Sequence, residues 1–445
     1  MAAPVPSERP LLPAGRWRPR LAARIRKREA IVGVVGLGYV GLPLLLAVRR
    51  SGFPVVGVDS DGEKIKALRE RRSYVTDVEI EDLEILGEAS RLSPRYAALR
   101  ECDVVLISVP TPLRDHEPDL RPIETAARGI ARHLRSGTLV ALESTTYPGT
   151  TEEIVRPLLE ASGMVAGRDF ALVYAPERID PGQGRDHLTK TPRVVGGLTP
   201  RCTELAAKFY GSFVDKVHTV STPRDAEMSK LIENVFRHVN IALVNELAIV
   251  SRDLGVNIWD AIEAAATKPF GYMPFWPGPG VGGHCIAIDP AYLSWKVGQI
   301  LGHRVTFVEH AQEVNAKMPN YVAGRIAEAL NEQGKPLKGA KILGIGVAYK
   351  PGVNDSRESP AVAVLDRLAR VGADVSYHDP LVGEVEIGGR TLTSLVLTAD
   401  VLSSQDCSAI LTAHGDINYE LVGRFSPLVI DARRSHLNGP NVIRL

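Results

Sequence analysis

Between Ala30 and Arg50 the chain passes from an apolar run, AIVGVV, through Gly36-x-Gly38-x-x-Gly41 into LPLLLAVRR. No other stretch limits the fold so sharply. An apolar run without alternation suits a strand covered on both faces, and glycines at this spacing make the tight turn from which a helix can start at once. The turn alone is a weak signal. A second strand, PVVGVD, ends in Asp59 about twenty residues further on, where a carboxylate can accept hydrogen bonds from an adenosine ribose. The two parts together predict a dinucleotide-binding βαβ unit. An acid at this position favours NAD over NADP, whose 2′-phosphate it would repel.

Further strand-like segments follow at 102–110, 137–145 and 170–177, and they run out into Thr111-Pro112, Ser144-Thr145-Thr146 and Pro176-Glu177-Arg178. Ligands of a parallel sheet lie beyond the carboxyl ends of its strands, so these hydroxyls and this carboxylate are expected to face the cofactor crevice. Each alone is ordinary turn chemistry.

A chain of 445 residues with 44% hydrophobic and 24% charged residues is long enough for two or three soluble domains. Its formal net charge of +1 excludes bulk attraction to nucleic acid or anionic membranes. Neither a membrane span nor a secretory signal is read, and the cytoplasm is the expected compartment. Cys102, Cys202, Cys285 and Cys407 are scattered without metal-ligand spacing, which suits reduced thiols and no metal site. Met1 to about Ala14 reads as disordered, and the basic run from Arg16 to Arg28 as a short helix leading into the first strand, with a nucleic-acid tail as the alternative.

Thr222-Pro223-Arg224-Asp225 opens a long helix: Thr as N-cap, Pro at the first helical position and an acid three residues after the cap, with neither Gly nor Pro until Gly255. About 30 residues at 1.5 Å each make a rod of about 45 Å, suited to joining two domains. Its apolar positions from Met228 to Val250 are dense enough for burial on more than one side, hence the expectation of a homodimer through this helix. Lys230 and Asn234 share one of its faces. Next comes PGPGVGGHCIAIDP, Pro277–Pro290, which places one thiol, Cys285, in a loop nearly free of side chains. Gly278, Gly280, Gly282 and Gly283 let a ligand approach the backbone, His284 can favour the thiolate, and Asp289 is a candidate base or orienting carboxylate.

A second strand-turn, KILGIGVAYKPG, has Tyr349 where a third glycine would stand, so it predicts a nucleotide-type domain without a second dinucleotide fingerprint. The fold class is therefore α/β: two doubly wound Rossmann-like domains joined by a long central helix. The expected boundaries are a basic extension over 1–29, an NAD-binding domain over 30–221, a central helical dimerisation domain with the Cys loop over 222–318, and a second nucleotide-type domain over 319–445.

GLGYVGLP, VPTPL, LESTTYPGTT, APERIDPG, AEMSKLIENVFRHVNIALVNEL, PGPGVGGHCIAIDP and GVAYKPGVNDSRESPA, in that order, resemble the UDP-sugar 6-dehydrogenase family from about Leu21 onward. ESTTYPGTT, TKPFG and GGHCIAIDPAYLSWK look most like the branch acting on UDP-N-acetylhexosamines, above all UDP-N-acetylglucosamine. The resemblance implies NAD-dependent oxidation of the sugar C6 alcohol to the uronic acid through a thiohemiacetal and a thioester on Cys285. It implies that Lys230 and Asn234 stabilise an oxyanion, that Asp289 assists proton transfer, and that Glu177 and Thr145 handle water. For the cofactor it points to Gly36, Gly38, Tyr39, Val40, Gly41, Asp59, Lys64, Thr111, Thr145 and Arg357. For the sugar nucleotide it points to Glu177, Arg178, Lys230, Asn234, Phe275, Trp276, Pro277, Gly278 and Lys350. Two departures from the family pattern are Ile288, where the UDP-glucose branch often has lysine, and Pro351-Gly352 after the AYK motif. The alternatives are a UDP-glucose 6-dehydrogenase, a hydroxyacid-type dehydrogenase that oxidises once without a thiol, and an inactive nucleotide-binding regulator.

Overall fold

The computed structural model describes residues 17–75, 78–87, 90–114, 117–178, 187–283, 286 and 288–445. The chain divides into two compact units, the first running to Leu231 and the second starting at Ile232.

In the first unit the strands are β1 (Val32–Val35), β2 (Val55–Val58), β3 (Ser90–Ser93), β4 (Val104–Ile107), the short hairpin pair β5 (Leu113–Arg114) and β6 (Glu117–Pro118), β7 (Leu139–Leu142), β8 (Ala171–Tyr174), β9 (Arg193–Gly197) and β10 (Val217–Val220). Eight of them form one sheet in the order β10-β9-β8-β7-β4-β1-β2-β3. From β3 to β8 the neighbours are parallel, and β9 turns antiparallel to β8. Every residue of β1, β2, β4, β7 and β8 is buried, because helices cover both faces of a parallel sheet, and this is why these strands read as unbroken apolar runs.

The basic segment ahead of β1 is built into this unit. Trp17, Leu21 and Ile25, spaced four apart on the helix Trp17–Arg26, are buried in its core. Two of its arginines are spent structurally: Arg24 pairs with Asp103 at 3.0 Å, and Arg28 lies over the Phe53 ring at 4.8 Å and donates to the Ser212 carbonyl at 2.5 Å.

The expected long helix runs over Pro223–Asp253, 31 residues. Its start is the capping box read from the sequence: Asp225 N–H donates to Thr222 Oγ1 at 3.2 Å, and Thr222 N–H donates to Asp225 Oδ2 at 3.0 Å. In the second unit this helix is followed by Ile258–Ala266, Asp289–Leu301 and Thr306–Glu332. The strands β11 (Lys341–Ile345), β12 (Asp374–His378), the hairpin β13 (Glu384–Ile387) and β14 (Arg390–Thr393), β15 (Cys407–Ile410), β16 (Val429–Asp431) and β17 (Val442–Arg444) complete the unit. Five of these make a parallel sheet ordered β12-β11-β15-β16-β17. The α/β class, the two sheets and the central helix are thus those expected. No helix among the described residues is long and apolar enough to cross a membrane.

Candidate active site

The first unit carries the dinucleotide fingerprint on the turn after β1. Gly36 has a φ of +88°, and a Cβ there would strike the Ser108 carbonyl; one on Gly41 would strike the carbonyl oxygen of Gly36. Around Gly38 nothing lies within 4 Å of where a Cβ would point, so the backbone is open to close approach. The helix Gly41–Arg50 starts from Val40 without a side-chain cap; Leu42 N–H donates to the Gly38 carbonyl at 3.1 Å and Pro43 has no N–H, so close approach to the backbone is offered by the turn at Gly38. Tyr39 is exposed beside it.

Asp59 directly follows β2 and is buried. Its Oδ2 accepts from Leu37 N–H at 2.8 Å, its Oδ1 from Asp61 N–H at 2.9 Å, and Lys64 Nζ stands 3.7 Å away. A carboxylate can accept about four hydrogen bonds, so capacity remains for ribose hydroxyls. Thr111 follows β4 and Thr145 follows β7, each half-buried. These residues fit NAD: the fingerprint would hold the diphosphate and Asp59 the ribose.

Two buried carboxylates organise the rest of this unit's site. Glu227, in the first turns of the central helix, accepts from Gly149 N–H at 2.5 Å, Thr151 N–H at 2.9 Å and Thr151 Oγ1 at 2.7 Å. Burial pushes its carboxyl up to about 7 despite those donors. The turn carrying Thr145 and the helix start carrying Lys230 are thereby tied together, and Lys230 is itself buried. Glu177, beyond β8, accepts from Arg193 Nη2 at 2.8 Å and from Arg178 N–H at 2.6 Å. Arg178 turns its guanidinium to the Pro192 carbonyl, at 2.7 Å.

In the second unit Asn234 is fully buried, with both ends of its amide engaged: Nδ2 donates to Asp289 Oδ2 and Oδ1 accepts from Arg237. Asp289 is the first residue of the helix Asp289–Leu301. Two of the expected catalytic residues, 55 apart in sequence, thus meet directly. The entry to the glycine-rich loop is held by a chain of buried amides: Gly278 N–H donates to Asn245 Oδ1 at 2.9 Å, Asn245 to Asn315 Oδ1 at 3.0 Å, and Asn315 to the His238 carbonyl at 3.3 Å. The glycines are required by contact. A Cβ on Gly282 would meet the Glu358 carbonyl at 2.6 Å, and one on Gly283 (φ +84°) the Tyr349 ring at 2.7 Å. Phe275 and Trp276 are half-buried and Pro277 is buried; the Trp276 ring stacks on Trp259 at 5.9 Å between centroids. Lys350 follows Tyr349 and is half-buried, while Arg357 lies on the following turn, bound to Asp355 through Nε at 2.8 Å and Nη2 at 2.7 Å. Cys285 and His284 lie outside the described residues. The other three cysteines are buried free thiols; burial pushes Cys102 and Cys407 up to about 12, which makes them poor nucleophiles.

Sequence reading missed Arg193 and Glu143 around Glu177, Arg237 on Asn234, the Asn245–Asn315 pair, and Arg433, whose guanidinium packs against Gly278. Only Arg237 had a local signal, one turn beyond Asn234 on the same helix.

A dinucleotide fingerprint on one sheet and a second α/β unit lacking that fingerprint fit a dehydrogenase with a separate nucleotide-binding domain, and the buried Asn234–Asp289 pair lies in that second unit. The chain belongs to the UDP-glucose/GDP-mannose dehydrogenase family: it matches the NAD binding domain over residues 30–214, the central domain over 224–317 and the UDP binding domain over 343–437. It is therefore an NAD-dependent nucleotide-sugar dehydrogenase. It is 36% identical over 411 residues to the UDP-N-acetyl-D-mannosamine dehydrogenase of Pyrococcus horikoshii, covering 90% of this chain and 95% of that one. To the UDP-N-acetyl-D-glucosamine 6-dehydrogenase of Pseudomonas aeruginosa it is 37% identical over 360 residues, 80% of this chain and 84% of that one. The solved structure of the UDP-D-ManNAc dehydrogenase from P. horikoshii superposes with a TM-score of 0.84 at 35% identity, over 93% of this chain and 98% of that one.

Proposed function

We infer that the protein oxidises the C6 hydroxyl of a UDP-N-acetylhexosamine, UDP-N-acetylglucosamine first among them, to the uronic acid through a covalent adduct on Cys285. The buried Asn234–Asp289 pair carries this reading, because it holds a donor amide and a carboxylate together at the end of the cysteine loop. NAD⁺, when bound, takes up a hydride from C6 in each of two successive oxidations, one NAD⁺ for each. The aldehyde so formed has no second hydride to give until the Cys285 sulfur adds to its carbon. Lys230 and the free N–H of Asn234 stabilise the resulting oxyanion, and Asp289 relays the proton. After the second oxidation the acyl group is held as a thioester. Water then adds under Glu177 and Thr145, the C–S bond breaks, and the thiolate leaves. Gly36 to Gly41, Asp59, Lys64, Thr111, Thr145 and Arg357 hold the cofactor. Glu177, Arg178, Phe275 to Gly278, Lys230, Asn234 and Lys350 hold the sugar nucleotide.

The acetamido group sets the preference. Its N–H and C=O need partners, and a site built for them leaves those partners unsatisfied when UDP-glucose binds, at a cost of about 1–3 kcal/mol or roughly ten- to a hundred-fold in kcat/KM. The segments ESTTYPGTT and TKPFG support the gluco isomer. The manno epimer is the second reading, supported by the match to the P. horikoshii enzyme over 95% of its length. Measuring kcat/KM for UDP-N-acetylglucosamine, its manno and galacto isomers and UDP-glucose decides: UDP-glucose as the fastest substrate would overturn the assignment.

The protein acts as a homodimer through the central helix. Ile232, Phe236, Leu243, Leu247 and Val250 lie on one face of that helix and are 44–56% exposed in the single chain, a stripe of the kind a second copy covers. Leu243→Glu combined with Leu247→Glu is expected to yield monomers in sedimentation equilibrium where the unaltered protein sediments as a dimer. An unaltered protein that is itself monomeric would refute this.

A further inference from the structure

The hydrolytic step needs Glu177 aimed at a water, and Glu177 sits at one end of a charge network buried in the first unit. Arg193, the first residue of β9, is almost completely buried. Its Nη2 donates to Glu177 Oε2 at 2.8 Å, and its Nη1 donates to Glu143 Oε2 at 3.1 Å and to the Pro176 carbonyl at 2.8 Å. One guanidinium thus grips the Glu177 carboxylate and the backbone just before it. Glu143, the last position before the Ser144-Thr145-Thr146 turn, is buried and takes its other hydrogen bond from Tyr210 Oη at 2.7 Å. Tyr210 also presents its ring to Arg193, 5.3 Å from the guanidinium carbon.

The arrangement is a fork held at its base. Glu143 and Tyr210 fix Arg193, and Arg193 fixes Glu177; the backbone N–H of Arg178, at 2.6 Å from Oε1, fixes the remaining oxygen. A planar guanidinium is suited to this because it donates in two directions at a set angle, which an ammonium cannot copy. The charged and titratable groups facing Glu143 are Arg193 from β9, Glu177 beyond β8 and Tyr210 from the helix Pro200–Tyr210. Burial pushes the Glu143 carboxyl up to about 7, while Arg193 pulls it back.

We propose that Arg193, anchored by Glu143, is a positioning residue that holds the Glu177 carboxylate for the water that releases the acyl group. In that step the water oxygen bonds to the acyl carbon, a water proton passes to Glu177, and the C–S bond breaks with the electron pair leaving on the Cys285 sulfur. The proposal rests on the thioester reading above.

The test compares Arg193→Lys and Glu143→Gln with Glu177→Gln, using UDP-N-acetylglucosamine, or its manno epimer if that is faster. The readouts are kcat, both KM values, the kcat–pH profile and the covalent adduct found by mass spectrometry after acid quench. Arg193→Lys keeps the buried positive charge, and Glu143→Gln keeps an acceptor for Arg193 while its amide faces the Tyr210 hydroxyl, so both are expected to fold. A misplaced carboxylate should cost roughly ten- to a hundred-fold in kcat. KM values should fall roughly in step with kcat, leaving kcat/KM within about two-fold, since binding and hydride transfer precede the step affected. Adduct should accumulate in Arg193→Lys as it does in Glu177→Gln, and Glu143→Gln should show a smaller loss and a kcat–pH profile altered near neutrality. Adduct in Glu177→Gln with unaltered kcat and no adduct in Arg193→Lys would overturn the positioning role and leave the thioester reading standing. No adduct and unaltered kcat in Glu177→Gln would overturn both.

Discussion

Replacing Cys285 by alanine is expected to lower overall turnover by about a thousand-fold or more, because no other side chain can replace a missing nucleophile. NAD⁺ and the UDP-sugar should still bind, since the fingerprint after β1 and the loop entry at Gly278 are held by contacts that do not involve the thiol. Serine is the more informative replacement. Its oxygen can add to the aldehyde and be oxidised to an ester, which hydrolyses far more slowly than a thioester, so the Ser variant should accumulate a mass adduct. Near-normal rates in both variants would remove the nucleophile from the mechanism. The other three cysteines offer no substitute, being buried.

Asn234→Ala is expected to lower kcat by roughly a hundred- to a thousand-fold, the usual effect of deleting one preorganised donor to a developing oxyanion. The same change removes a hydrogen-bond partner from both Asp289 and Arg237. It should therefore also destabilise the fold by about 1–3 kcal/mol, the cost of leaving a buried polar group unpaired. Steady-state kinetics and a thermal melt read the two effects separately. A lower melting temperature with kcat unchanged would make Asn234 a structural residue only.

What the sequence disclosed was local. The strand-turn-helix at Ala30–Arg50, the capping box at Thr222 and the glycine-rich loop each declare themselves within a few residues, because sterics and hydrogen bonding at that range depend only on neighbours. The strands β9 and β10 were not read. RVVGG ends in two glycines and VHTV is half polar, so neither resembles the buried apolar run of a central strand. Contacts between distant segments were equally hidden: Arg193 lies 50 residues from Glu143, and nothing near either announces the other.

The second unit shows how the same outline can carry a different function. Asp379 directly follows β12, as Asp59 follows β2, but its carboxylate is used up internally. It accepts from Val347 and Ala348 N–H at 2.7 and 3.0 Å, from Leu381 and Val382 N–H at 2.9 and 3.0 Å, and from His414 Nε2 at 3.1 Å. Burial pushes that carboxyl up, but His414 and the backbone donors outweigh it and hold it down to about 2. No lone pair is left for a ribose. The sequence disclosed the missing third glycine at Tyr349, and only the fold discloses the saturated acid. Gly352 N–H donates to His414 Nδ1 at 3.2 Å, so the same pair also braces the turn that carries Lys350.

The central claim is that the aldehyde never leaves: it is trapped on the enzyme and oxidised again. Counting NADH formed against limiting UDP-N-acetylhexosamine, with an aldehyde trap present, tests it most directly. The account predicts two NADH for each sugar nucleotide consumed and no trapped aldehyde, since the second oxidation follows on the covalent adduct. One NADH per sugar nucleotide, with aldehyde recovered in the trap, would contradict it.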